Sequence, residues 1–261
     1  INVNPNATVS RLTGPTDQSI CLNESVTLTA GSVGVTNPVY RWYTSQTNTS
    51  AFHTGASYLT PNLTTTTKYY VSVSGDNYCE NLINNRREVT VTVNPNATAA
   101  NIAVTGIQEI CSGNTTQLTA SSSITGAVFK WYSASNVLLH TGASFTTPTL
   151  TANTTYHVSV SGTGYCENTP TTRKAVTVTV NPNATENNIT VTGIQRICSG
   201  NTTQLTASSS ITGAVFKWYS ASNTLLHTGA SFTTPTLTAT TTYHVGVSGT
   251  GYCVNTPTTR K

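Results

Sequence analysis

Methionine is absent from this 261-residue chain, and charge is scarce: Asp, Glu, Lys and Arg make up only 8% of it, where about 25% is usual. The net charge is +4, but the basic residues are scattered in pairs such as Arg86-Arg87, Arg173-Lys174 and Arg260-Lys261. A nucleic-acid partner needs a clustered basic face, so none is expected. No run approaches the roughly 20 apolar residues of a membrane-spanning helix, and no membrane span is expected in this segment. No Cys-x-x-Cys pair occurs, and the five histidines lack ligand spacing, which argues against zinc. The Asn-Pro-Asn-Ala-Thr stretches carry at most Glu186 nearby, too few carboxylates for a calcium joint. No metal and no cofactor are therefore expected. His140 and His227 recur in Leu-Leu-His-Thr-Gly, with His53 similar, but no acid recurs beside them, and a catalytic histidine needs both a nucleophile and an orienting acid. No catalytic residue is assigned, and the chain is read as not an enzyme. It opens on Ile1, Asn2 and Val3 without a signal peptide, as a segment cut from a longer array would.

What the chain has in abundance is threonine, serine and asparagine, which suit strands and turns, and a repeat. Asn-Pro-Asn-Ala-Thr occurs at residues 4–8, 94–98 and 181–185, spaced by 90 and 87 residues. Cys21, Cys111 and Cys198 follow the same period, as do Trp42, Trp131 and Trp218; Tyr69, Tyr156 and Tyr243; and Cys79, Cys166 and Cys253. Residues 94–174 and 181–261 differ only at Ala99/Glu186, Ala100/Asn187, Ala103/Thr190, Glu109/Arg196, Val137/Thr224, Asn153/Thr240, Ser159/Gly246 and Glu167/Val254. Such series copying suits a stalk or a multivalent binder better than an active site. The domain reading is: 1–3, the end of the last strand of a preceding repeat; 4–93, repeat 1; 94–180, repeat 2; 181–261, repeat 3, without its final strand.

Within repeat 2, residues 115–120, 128–132, 155–160 and 175–180 alternate apolar and polar residues, the mark of half-buried strands in an antiparallel sandwich. The pattern resembles the immunoglobulin-like superfamily. It carries Gly113 followed by Leu118 and Ala120, then Trp131, then Tyr156-His157-Val158, with Ala120 and Val158 where that superfamily has its core cysteines. The expected architecture is all-β: three tandem immunoglobulin-like sandwiches in an elongated array, the last lacking its final strand. Trp42, Trp131, Trp218, Tyr69, Tyr156 and Tyr243 are the expected core. His157 should point to solvent, and Tyr132 and Tyr219, one position after the core tryptophans, should face outward.

More narrowly, the chain is similar to the tandem immunoglobulin-like repeats of Bacteroidota surface proteins, through Ile110-Cys111-Ser112-Gly113, the strand around Tyr156, Gly164-Tyr165-Cys166 and the closing Val-Thr-Val-Thr-Val. That resemblance implies extracellular export to the bacterial cell surface, often in giant adhesins including those of gliding bacteria, and no catalytic residues.

Six cysteines suggest an oxidising compartment. In an immunoglobulin sandwich the strands bearing Ala120 and Val158 run in the same direction. Cys111 lies nine residues before the first, and Cys166 eight after the second. Those offsets put them at opposite ends of one repeat, beyond the ~7 Å between Cα atoms that a disulfide tolerates. The expected bonds are therefore between repeats, Cys21–Cys166 and Cys111–Cys253, with Cys79 and Cys198 pairing to repeats outside the segment. The alternative, Cys111–Cys166 within a repeat, would require a different strand order. The expected function is a stalk or filament shaft of a bacterial cell-surface adhesin, its partners the neighbouring repeats of the same chain. The competing reading is a multivalent module in which each repeat weakly contacts a surface glycan or other surface ligand, through a shared exposed aromatic strip.

Overall fold

The structure, a computed structural model, describes residue 1 and residues 3–261. Repeat 1 contributes β1 (Gln18–Cys21), β2 (Thr27–Thr29), β3 (Val39–Tyr43), β4 (His53–Thr54), β5 (Ser57–Leu59), β6 (Thr67–Ser74) and β7 (Arg87–Asn94). Repeat 2 contributes β8 (Ala103–Gly106), β9 (Glu109–Cys111), β10 (Gln117–Ser121), β11 (Val128–Ser133), β12 (Leu138–Thr141), β13 (Ser144–Thr146), β14 (Thr154–Ser161) and β15 (Lys174–Asn181). Repeat 3 contributes β16 (Thr190–Gly193), β17 (Gln204–Ser208), β18 (Val215–Ser220), β19 (Leu225–Thr228), β20 (Ser231–Thr233) and β21 (Tyr243–Ser248). Ile1 and Val3 are exposed and belong to no strand; Asn2, the middle residue of the segment assigned to a preceding repeat, lies outside the described residues.

Each repeat is a two-sheet sandwich. Repeat 2 has one sheet in the order β12-β11-β14-β15-β9 and a second of β8, β10 and β13. Repeat 1 has the same large sheet, β4-β3-β6-β7-β1, facing β2 and β5. In repeat 3 the large sheet is reduced to β19-β18-β21, facing β16, β17 and β20. The first strand of repeat 2 divides between the sheets: β8 pairs antiparallel with β10, and β9 pairs parallel with β15. Gly106 makes the switch. Its φ is +122°, and a Cβ there would collide with the carbonyl of Gln117. Only glycine meets both conditions without strain.

Period-2 alternation delivers the core. On β6, Tyr69, Val71 and Val73 point inward, and on β7 so do Val89 and Val91, with the four valines fully buried. Trp131 and Trp218 lie under the turn that joins the fourth strand to the fifth in their repeats. Their indole N–H groups donate to the carbonyls of Gly142 and Gly229 at 3.0 Å, and each ring stacks on Phe145 or Phe232 at 5.4 Å. Tyr156 then meets Phe145 edge-on at 5.1 Å. Ala120 and Val158, which fill the positions of the superfamily's core cysteines, are both buried.

Tyr243 departs from expectation. Assigned to the core, it is only half-buried. In repeats 1 and 2 the flank of this tyrosine is covered by β7 or β15, and no described residue takes that place in repeat 3. The chain forms two compact units by contact. One is Ile1–Ile102 with Ser122–Phe129 and Ser159–Lys174; the other is Ala103–Ser121, Lys130–Val158 and Ala175–Lys261. The first junction between repeats lies wholly inside the first unit, and the second junction wholly inside the second.

Candidate functional site: the cysteine joints

The parallel pairing of β1 with β7 sets Cys21 opposite Asn94, the first residue of an Asn-Pro-Asn-Ala linker. Leu22 N–H donates to the Asn94 carbonyl at 3.1 Å. On its other side the linker meets the turn after β14. Cys166 N–H donates to the Pro95 carbonyl at 3.0 Å, and Ala97 N–H to the Cys166 carbonyl at 2.9 Å. Proline fixes φ and needs no donor partner, and Ala97 is fully buried. Across this clamped linker Cys21 and Cys166 are disulfide-bonded, with Cα atoms 5.8 Å apart.

The second unit repeats the arrangement. Asn181 pairs with Cys111, and Ser112 N–H donates to the Asn181 carbonyl at 2.9 Å. Cys253 N–H donates to the Pro182 carbonyl at 3.0 Å, and Ala184 N–H to the Cys253 carbonyl at 2.9 Å. Cys111 and Cys253 are disulfide-bonded, again with Cα atoms 5.8 Å apart. The structure does not bring Cys111 and Cys166 together as a pair. Cys79 and Cys198 are free and exposed. Cys79 nonetheless sits in the same clamp, its N–H donating to the Pro5 carbonyl and its carbonyl accepting from Ala7 N–H, both at 2.9 Å.

What fixes the second cysteine of each joint escaped the reading of the sequence. Two residues beyond each lies an asparagine, Asn81, Asn168 or Asn255, all three buried. Its Oδ1 accepts from the backbone N–H of Val73, Val160 or Val247 at 2.7, 2.8 and 2.8 Å. Its Nδ2 donates to the carbonyl of Asn85, Thr172 or Thr259 at 2.9, 2.8 and 2.7 Å. A buried amide so satisfied pins its segment. The signal available was a Cys-x-Asn spacing present in all three repeats.

The same returning segment corrects the outward tyrosines. Tyr219 is only 8% exposed, because Arg260 lies over its ring at 3.5 Å from the centroid. In repeat 1, Arg86 covers Tyr43 at 3.4 Å, and Tyr43 donates to Glu80. Tyr132 is likewise 8% exposed. His157 does not point freely to solvent either: it is half-buried, as is its counterpart His244, the register partner of Tyr219. The recurring His-Thr-Gly motif is accounted for by the turn. Gly142 and Gly229 have φ of +140° and +142° and accept the tryptophan hydrogen bonds, and His53 Nε2 bonds the Ser57 carbonyl at 2.8 Å. Among the described residues no group of three or more His, Cys, Asp or Glu could hold a metal ion. No described helix is long and apolar enough to cross a membrane.

The family model for the Ig-like domain described as CHU_C associated matches residues 5–95, 98–182 and 187–261. The chain belongs to this Ig-like domain family. It holds three tandem copies of the CHU_C-associated domain, and tandem immunoglobulin-like domains serve as structural or binding modules. The disulfides suit an extracellular or secreted setting. No curated protein matches the chain. Among solved structures it is similar to the three N-terminal domains of the bacteriophage RB49 highly immunogenic outer capsid protein, at 14% identity over 89% of this chain and 87% of that one, TM-score 0.34. A marsupial T cell receptor is similar at 13% identity over 92% and 97%, TM-score 0.37. The mouse nectin-like molecule 4 ectodomain is similar at 11% identity over 89% and 92%, TM-score 0.32.

Proposed function

We propose that these Ig-like domains form a covalently jointed shaft segment of a bacterial cell-surface adhesin, of the Bacteroidota kind that the repeat motifs resemble, projecting an adhesive region from the cell. The observation that carries this reading is the joint. Both linkers between repeats are hydrogen-bonded on their two sides and bridged by a disulfide, an arrangement that resists extension. Cys79 and Cys198 extend the scheme: Cys79 takes a partner of the Cys21 kind, and Cys198 one of the Cys166 kind, from further repeats. Pulling the chain by its ends tests the reading. Because the two disulfide loops overlap, the oxidised chain should reach less than half the length of the reduced one, at ~3.3–3.6 Å per freed residue. Equal lengths would mean that the joints carry no covalent link, and the shaft reading would fall.

A second reading, weak multivalent contact with a surface glycan or other surface ligand, draws support from Leu138, Leu139, Leu225 and Leu226, exposed at matching places in repeats 2 and 3. The burial of Tyr43, Tyr132 and Tyr219 removes the aromatic strip it would most naturally use. Binding to a glycan array that climbs steeply from one repeat to three would favour it; an array blank at three repeats would end it.

A further inference from the structure

In repeat 1 the Glu80 carboxylate lies on the face of the large sheet opposite Trp42, and three side chains converge on it. Tyr43 donates to its Oε1, Ser72 donates to the same atom at 2.6 Å, and the Arg41 guanidinium stands 3.6 Å from Oε2. Repeat 2 has Lys130, Tyr132, Ser159 and Glu167 at these places, and Ser159 again donates to the carboxylate, at 2.7 Å. Repeat 3 has Lys217, Tyr219, Gly246 and Val254. The register is unchanged: Lys217 pairs with Gly246 and Tyr219 with His244, as Arg41 pairs with Ser72 and Tyr43 with Tyr70. Arg260 lies over Tyr219 as Arg86 lies over Tyr43. The cation and the phenol are therefore in place, while the acid and the buried hydroxyl are not. Among the described residues the Lys217 ammonium has no ion pair or hydrogen bond. The Tyr219 hydroxyl has no acceptor either, and it is not one of the buried unpartnered polar atoms, so it reaches solvent.

We propose that this place on repeat 3 is a carboxylate-binding site, and that its ligand is a glutamate side chain offered by a protein partner. Valine reproduces the stem of glutamate as far as Cγ and stops there. Val254 thus removes the head group and leaves its room open above the sheet. Gly246 adds to that room, since a Cβ there would stand in ordinary contact with the Val254 methyl at 3.5 Å. The floor is apolar, and the polar groups that remain are an ammonium and a hydroxyl. Both donate, and donation to a carboxylate gives charge-assisted hydrogen bonds, the stronger class. Lys217 is half-buried, so part of its hydration is already given up in the free repeat, and a carboxylate restores what was lost. Arg260, which donates to Asn223 Oδ1 at 2.8 Å, adds a second positive charge with no ion pair among the described residues. The ligand is read from the molecule itself. The group that the corresponding side chains hold in repeats 1 and 2 is a glutamate, and the floor of Val254 and Gly246 suits the methylenes behind its carboxylate. A uronate sugar would press hydroxyls against that floor without partners for them. This inference does not rest on the shaft reading and can fail without it.

The test is an NMR titration of the intact chain that follows the side-chain resonances of Lys217 and Lys130. The probe is a Gly-Glu-Gly peptide with blocked ends, compared with Gly-Gln-Gly and with glucuronate. Saturable shifts at Lys217 are expected with the glutamate peptide, at least ~10-fold tighter than at Lys130, whose repeat keeps Glu167, because one hydrogen bond to a charged group is worth about that factor. Tyr219→Phe, which keeps the ring under Arg260, should weaken binding several-fold. Val254→Glu should abolish it by supplying the carboxylate from within. In repeat 2, Ser159→Gly together with Glu167→Val should create the same response at Lys130. The proposal is overturned if the glutamate peptide does not saturate Lys217, if the glutamine peptide shifts it equally, if native Lys130 responds as Lys217 does, or if Val254→Glu leaves binding intact. Tighter binding of glucuronate than of the peptide would overturn the assignment to a protein partner.

Discussion

Repeats 2 and 3 are nearly one sequence, differing at eight positions over residues 94–174 and 181–261, yet the same side chains live in different surroundings. Leu118 is fully buried and Leu205 half-buried; Tyr156 is buried and Tyr243 half-buried. Burial in a sandwich belongs to the neighbouring strand as much as to the residue itself. The differences between the repeats carry a second lesson. Ser159, fully buried, donates to Glu167 Oε1 at 2.7 Å, and in repeat 1 Ser72 donates to Glu80 at 2.6 Å. Repeat 3 has Gly246 and Val254 at these places, and a Cβ on Gly246 would sit 3.5 Å from the Val254 methyl. The hydroxyl and its acceptor have gone together, since a buried hydroxyl stripped of its acceptor is destabilising.

The comparison can be broken first at the tryptophans. Trp131→Ala and Trp218→Ala should each cost about 3–5 kcal/mol, read by amide exchange within each repeat, because the two rings make the same indole hydrogen bond and the same stack on phenylalanine. A much smaller cost at Trp218 would mean that the two rings do not anchor their repeats equally. Next come the cysteines. Cys111→Ser should lower stability by roughly 2–4 kcal/mol in denaturant unfolding, whereas Cys198→Ser, at an exposed free thiol, should stay within about 0.5 kcal/mol. The coupled pair follows. Glu167→Val should cost about 1–3 kcal/mol, and adding Ser159→Gly should recover most of it; additive losses in the double-mutant cycle would dissolve the coupling. The smallest effect is in alkali. Burial, with Tyr58 adding to it, pushes the Tyr69 phenol up to about 12, above the ordinary value of about 10. Its folded pKa is the raised one, so its contribution to stability is whole below pH ~10 and is lost as pH climbs toward 12. Tyrosinate absorbance should report that late titration in the intact repeat.

Alternation made the main strands legible: residues 128–132 and 175–180 of the sequence reading sit within β11 and β15, because inward valines and aromatics leave a period-2 trace. The split of the first strand at Gly106 left no such trace, since β8 and β9 are four and three residues long, too short for periodicity. Tyr219 was placed on the correct face of its strand but in the wrong medium. Alternation tells which face a side chain takes; it does not say that Arg260, 41 residues later, returns to cover that face. At the joints the cysteines stood out by their period, while Asn81, Asn168 and Asn255 were hidden in a chain rich in asparagine, where one more amide attracts no notice. Tyr243 is half-buried where Tyr69 and Tyr156 are buried, because the described residues hold no counterpart of β7 or β15 beside β21.

The two disulfides interlace along the chain, Cys21 to Cys166 and Cys111 to Cys253, and this ordering has a consequence for survival outside a cell. A protease that cuts once anywhere between Cys21 and Cys253 leaves both products attached: a cut before Cys111 is bridged by the first bond, one after Cys166 by the second, and one between them by both. The segment would run intact on a non-reducing gel and fall apart only with a thiol. An array built this way tolerates a nick in every exposed loop, one at a time, without being severed.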